Sequence, residues 1–120
     1  MTMTPAARDG SLLLLLTRDG MGSGEPELQH KLIRTYLGLL EENGMLPGTI
    51  AFYTEGVRLV VEGSPVLDLL EKIERAGVHL VICKTCLDYY GLTEQVKVGV
   101  VGGMTDIIEA QWRAAKVITL

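Results

Sequence analysis

The run VHLVICKTCLDYYG, residues 78–91, sets the architecture of the chain. Residues 78–82 are apolar at nearly every position rather than at alternate ones, the pattern of a strand buried on both faces. The run passes without a linker into Cys-Lys-Thr-Cys and a short helical stretch, residues 86–90, which Gly91 is suited to stop. A strand that hands the chain directly to a helix is half of a βαβ unit, and a parallel sheet needs such crossovers.

The alternation continues outward in both directions. Residues 11–17, SLLLLLT, form another continuous apolar strand, closed by the glycine-rich RDGMGSG. In residues 26–43 the apolar positions Leu28, Leu32, Tyr36, Leu39 and Leu40 recur at helical spacing, with Pro26 suited to the first turn and Gly44 to the stop. A second strand is expected over residues 49–54. Ser64 and Pro65 open a second helix, with Val66, Leu70 and Ile73 as its stripe and Gly77 as its end. GVRLVVEG, residues 56–63, fits a short helix or an extra strand equally well. Downstream, residues 98–101 read as a fourth strand and 104–114 as a helix with Ile107, Ile108, Gln111 and Trp112 on one side. Residues 117–120 read as a fifth strand.

Right-handed crossovers then dictate an α/β fold, a three-layer α/β/α domain around a five-stranded, mainly parallel sheet. It is expected to span residues 11–120, preceded by a poorly patterned, mobile segment, residues 1–10.

Composition bounds the function. The chain has 120 residues, 48% hydrophobic and 22% charged, which supports an ordinary core without disulfides or a structural metal. Eleven basic against 15 acidic residues give a net charge of -4, which offers no general attraction to nucleic acid or anionic lipid. The longest apolar run, residues 12–16, is too short to span a membrane, and no cleavage site follows it. A cytoplasmic protein without nucleic-acid or membrane partners is expected.

In sheets of this kind chemistry gathers outside the carboxyl ends of the strands. Here that rim comprises RDGMGSG, TEG, CKTC and VGG. Cys83 and Cys86 are too close in sequence to staple a secreted domain, and their spacing belongs to redox or metal chemistry. A sulfur between a strand and a helix start is favoured as thiolate. Lys84 would add to this if its ammonium turned inward, whereas Thr85 and Asp88 form a Thr-x-x-Asp capping pattern that would start the helix at Cys86. Two inert buried cysteines are the plain alternative. A zinc site lacks a second ligand pair, since His30 sits on the first helix and His79 is expected in the third strand facing a helix. Neither a metal nor a cofactor is expected. Gly20, Gly22 and Gly24 resemble a phosphate loop only loosely, and Glu25 and Glu27 would repel the anion. Glu25 and Glu55 offer carboxylates of unfixed separation. Tyr89, Tyr90 and Trp112 are packing or interface residues.

The segments GVHLVICKTCLDYYGL, SLLLLLTRDGMGSG, TIAFYTEGVRLVVEGS and MTDIIEAQWRAAKVITL together resemble the DsrE/DsrF-like sulfur-relay superfamily, over nearly the whole chain from Ser11. The form they resemble most is the C-terminal domain of the YedF-type, sulfurtransferase-like proteins associated with selenium metabolism, whose motif is Cys-Gly-Thr-Cys-Leu-Asp-Tyr-Tyr-Gly. The resemblance implies that Cys83 carries a persulfide and that Cys86 is the second cysteine of the motif. Lys84 departs from it, replacing the glycine. The Cys-Pro domain fused to YedF-type proteins has no match, so a separate protein donor is implied, with a protein acceptor and neighbouring copies in a homo-oligomer. The expected function is sulfur relay. A ligand- or partner-binding module using the same rim, and a regulatory CxxC disulfide switch, are the alternatives.

Overall fold

The computed structural model describes residues 9–120; residues 1–8, most of the segment expected to be mobile, lie outside the described residues. In chain order the elements are β1 (Asp9–Leu16), α1 (Pro26–Asn43), β2 (Pro47–Phe52), a 3-10 helix (Thr54–Val60), α2 (Leu67–Arg75), β3 (His79–Cys83), α3 (Lys84–Tyr90), a 3-10 turn (Thr93–Gln95), β4 (Val100–Gly102), α4 (Met104–Arg113) and β5 (Lys116–Thr119). The five strands lie in the order β4-β3-β2-β1-β5, and all four pairings are parallel. The α/β expectation therefore holds, with a sheet that is parallel throughout.

This strand order explains the leucine run. Successive side chains of a strand point to opposite faces. Leu14 and Leu16 enter the main core with Ile33 and Leu37 of α1 and Leu70 and Ile73 of α2, while Leu13 and Leu15 join Ala51 beneath Ala110 and Ala114. The first three crossovers step the same way across the sheet, so right-handedness puts α1, α2 and α3 on one face. Only α4, which carries the chain back from β4 to β5, covers the other. On the fuller face Arg34 of α1 grips α2, donating to both Asp68 carboxylate oxygens at 3.0 and 2.9 Å and to the Pro65 carbonyl at 2.8 Å.

Several boundaries move for local reasons. Asp9 and Gly10, expected in the mobile segment, open β1, where the Asp9 amide donates to the Leu46 carbonyl at 2.8 Å. β2 ends at Phe52 rather than residue 54, because Thr54 turns into the left-handed region at φ 48. The ambiguous residues 56–63 resolve into the 3-10 helix, which buries Val57, Leu59 and Val60, followed by an antiparallel bridge from Val61 to Val96. α2 begins at Leu67, after a turn in which Ser64 Oγ accepts the Val66 N–H at 3.2 Å. β4 starts at Val100 because Gly99 has φ 87, incompatible with a ladder. β5 occupies Lys116–Thr119, one residue earlier than expected. The stripe expected on α4 splits: Ile107 is 2% exposed, whereas Ile108 is 46% and Trp112 81% exposed.

Candidate functional site

β3 delivers Cys83 to the carboxyl edge of the sheet, in register with Gly102 of β4, and the chain turns at once into α3. Cys83 is itself the residue before the first helical one, so the Thr85–Asp88 capping pattern does not start the helix. With Cys86 on the first turn of α3, the two free sulfurs face each other at 3.1 Å, Cys86 donating to Cys83. Cys83 is buried and Cys86 half-buried. A covalent S–S bond is about 2.05 Å long, so bonding needs only a small approach.

The 3-10 helix supplies the other contact. The Thr54 amide donates to Cys86 Sγ at 3.0 Å, while Thr54 Oγ1 reaches the carbonyls of Thr17 at 2.6 Å and Tyr53 at 2.7 Å. The end of β1, the turn after β2 and Cys86 are thus joined through one residue. Gly56 makes the junction possible, since a Cβ there would lie inside the Leu16 carbonyl. Burial pushes the Cys86 thiol up, and its hydrogen bond to Cys83 adds to this. The Thr54 amide opposes both, because an N–H donor favours the charged sulfur. Cys86 therefore holds a proton that it presents to Cys83.

The remaining candidates fall differently. The Lys84 ammonium does not turn toward the sulfurs; it pairs with Asp88 at 2.8 Å, and the Asp88 carboxylate also accepts from Thr93 Oγ1 at 2.8 Å. These bonds raise Lys84 and lower Asp88 from their ordinary values. Thr85 is exposed and caps nothing. In the glycine loop the Met21 amide is already bonded to the Gln29 carbonyl at 3.1 Å and the Gly24 amide to Gln29 Oε1 at 3.2 Å. Those two donors are spent on α1, so the loop around Gly20, Gly22 and Gly24 is built as a turn. Glu55 is exposed in the first turn of the 3-10 helix.

His30 Nε2 lies 3.1 Å from Asp19 Oδ1, without the alignment of a hydrogen bond. Both line a cavity of about 260 Å³ with Arg58, Glu62 and Ser64. His79, expected in the third strand facing a helix, lies at the start of β3 and borders a groove with Asp106 and Glu109 of α4, where it is exposed. No three His, Cys, Asp or Glu side chains among the described residues converge as metal ligands. Tyr89 and Trp112 are exposed, whereas Tyr90 is half-buried between the Tyr89 ring, edge-on at 5.3 Å, and the Arg58 guanidinium, 4.5 Å from its centroid.

A parallel sheet in this order, with a cysteine pair at its carboxyl edge, defines the class of protein. Residues 25–120 match the sequence profile of the DsrE/DsrF-like family, and the chain belongs to that family. Among solved structures it is similar to the YchN protein from E. coli, with a TM-score of 0.69 and 18% identity over 92% of this chain and 98% of that one. It is also similar to MTH1491 from Methanobacterium thermoautotrophicum, a protein of unknown function, with a TM-score of 0.66 and 16% identity over 96% and 100% of the two chains. BT1422 from Bacteroides thetaiotaomicron, also of unknown function, superposes at a TM-score of 0.65 with 14% identity over 100% of both. At these identities the likeness is one of fold. No curated protein matches the chain by sequence.

Proposed function

We propose that this chain is a sulfur-relay protein that carries a persulfide on Cys83 and clears it through Cys86. The observation that carries the reading is the 3.1 Å approach of two free sulfurs at the sheet's carboxyl edge. The Cys83 thiolate attacks the terminal sulfur of a donor protein's persulfide; a Cys83–sulfur bond forms and the donor leaves as a thiolate. An acceptor thiolate then takes that sulfur and Cys83 leaves as the thiolate. Where no acceptor arrives, the Cys86 thiolate attacks Cys83 Sγ, closing a Cys83–Cys86 disulfide and expelling hydrosulfide. Both routes balance without an outside oxidant.

Access favours a gated pair. Cys83 is only 1% exposed and Cys86 is half-buried, so an incoming persulfide reaches Cys83 when the Cys86 side chain swings aside. Lys84, bound to Asp88, leaves the persulfide charge to Cys86 and its surroundings. The run CKTCLDYYG supports a YedF-type relationship within the family, with Lys84 as the variation and selenium handling as an associated role. A reduced pair of this kind suits the cytoplasm. The exposed Tyr89 and Trp112 suit contact with further copies of the chain.

Intact mass after treatment with a persulfide donor tests the assignment. The parent and Cys86→Ser should gain one sulfur, retained at least as long in the variant, and Cys83→Ser should gain none. Uptake by Cys83→Ser would move the carrier to Cys86. Absence of uptake by the parent from competent donors would put the binding-module reading ahead.

A further inference from the structure

We propose that Thr54 is a positioning residue for the cysteine pair, holding its backbone N–H on Cys86 Sγ so that negative charge on that sulfur is stabilised. The inference deepens the sulfur-relay reading, since it concerns what makes Cys86 able to clear a persulfide.

Three observations converge on Thr54. It is the one non-glycine with positive φ among the described residues, at 48°, a conformation unfavourable for a β-branched side chain. Its hydroxyl is placed against two carbonyls, Thr17 at 2.6 Å and Tyr53 at 2.7 Å, bonds that tie the residue to the end of β1 and to its own turn. Held this way, its amide meets Cys86 Sγ at 3.0 Å, a short approach for a sulfur acceptor.

The polar contacts of Cys86 Sγ are Cys83 Sγ and this amide. Ionisable groups on the packed elements are Glu55 and Arg58 on the 3-10 helix, Cys83 and His79 on β3, Glu94 on the 3-10 turn, and Lys84, Asp88, Tyr89 and Tyr90 on α3 itself. Lys84 is paired with Asp88 and Arg58 lies over Tyr90, and among the described residues the N–H bonded to Cys86 Sγ is that of Thr54. Clearing a persulfide requires that thiolate: it attacks Cys83 Sγ, the Cys83–sulfane bond breaks, and the electron pair leaves on hydrosulfide.

Alkylation of Cys86 by iodoacetamide, mapped by mass spectrometry in the reduced full chain across pH, reads the amide's effect directly. In Thr54→Val, which loses the hydroxyl anchors, the alkylation midpoint should rise by about one pH unit. The rate at neutral pH should fall only about threefold, because a more basic thiolate is also a better nucleophile. Thr54→Gly accepts the backbone angle but has no anchor and should behave like Thr54→Val, covering the case in which valine prevents folding. Thr54→Ser keeps the hydroxyl and should restore the parent profile. An unchanged midpoint in both Thr54→Val and Thr54→Gly, or a Thr54→Ser profile shifted as far as theirs, overturns the proposal. Persulfide uptake by the parent is scored separately: its failure removes the relay reading and leaves the Thr54 result standing.

Discussion

Gly56 shows how a single residue fixes the site. The Leu16 carbonyl occupies the place of its missing side chain, and its amide donates to the Tyr53 carbonyl at 3.0 Å, so the 3-10 helix is pressed onto the end of β1. Gly56→Ala must push these backbones apart. We expect it to cost about 3 kcal/mol, at the upper end for overpacking, measured as a lower urea midpoint. The same variant should alkylate faster at Cys83, which is 1% exposed in the parent, because Thr54 and the sulfurs share that junction. Unaltered stability would mean that the turn relaxes without cost.

At the scale of elements, α4 and the α1–α2 pair make opposite predictions. On α4, Ile107 is 2% exposed and its neighbour Ile108 46%, so Ile107→Ala should cost about 2–5 kcal/mol while Ile108→Ala in the isolated chain should stay within about 0.5 kcal/mol. Denaturant titration at low protein concentration separates them. Between α1 and α2, the Arg34 guanidinium holds the Asp68 carboxyl at about 2, below its ordinary 3.8. A depressed carboxylate stabilises the fold above its unfolded value, and that contribution is lost as pH falls from about 3.8 through about 2. The pair is exposed and screened by salt. Parent and Asp68→Asn should therefore differ modestly at neutral pH and low salt and converge only below about pH 2; a gap that survives there would assign it to packing.

Across the whole molecule the two faces of the sheet are unequally covered, three helices against one. The thinly covered side carries Met104, Ile108 and Trp112 along the outer surface of α4, at 52%, 46% and 81% exposure. These positions are four residues apart and form one stripe. If further copies dock there, sedimentation of the parent should show an oligomer that Ile108→Glu with Trp112→Glu dissociates without unfolding. A parent that sediments as a monomer at high concentration removes oligomerisation from the reading.

The strands, their parallel arrangement and the placing of Cys83 at a strand end were legible because they rest on local signals: continuous apolar runs, helical spacing, and prolines and glycines at element ends. The leucine run and the extent of α1 needed no distant partner to be recognised, but the buried face of α1 did: Leu28, Leu32 and Leu39 of the expected stripe are exposed, and Ile33 and Leu37 face the core instead. What α4 buries was not legible, since Ile107 and Ile108 are chemically alike and only the position of the sheet chooses between them. The same holds for residues 56–63, whose 3-10 form follows from the fit of Gly56 against Leu16 rather than from periodicity. The expectation for Lys84 concerned only the sulfurs, and helix geometry gave it to Asp88 at i,i+4. Thr54 gave no sign of its role, because the group that meets Cys86 is a backbone N–H that almost every residue possesses. Its direction exists only once β1, β2 and α3 are brought to the same edge, and that convergence is a property of the tertiary structure alone.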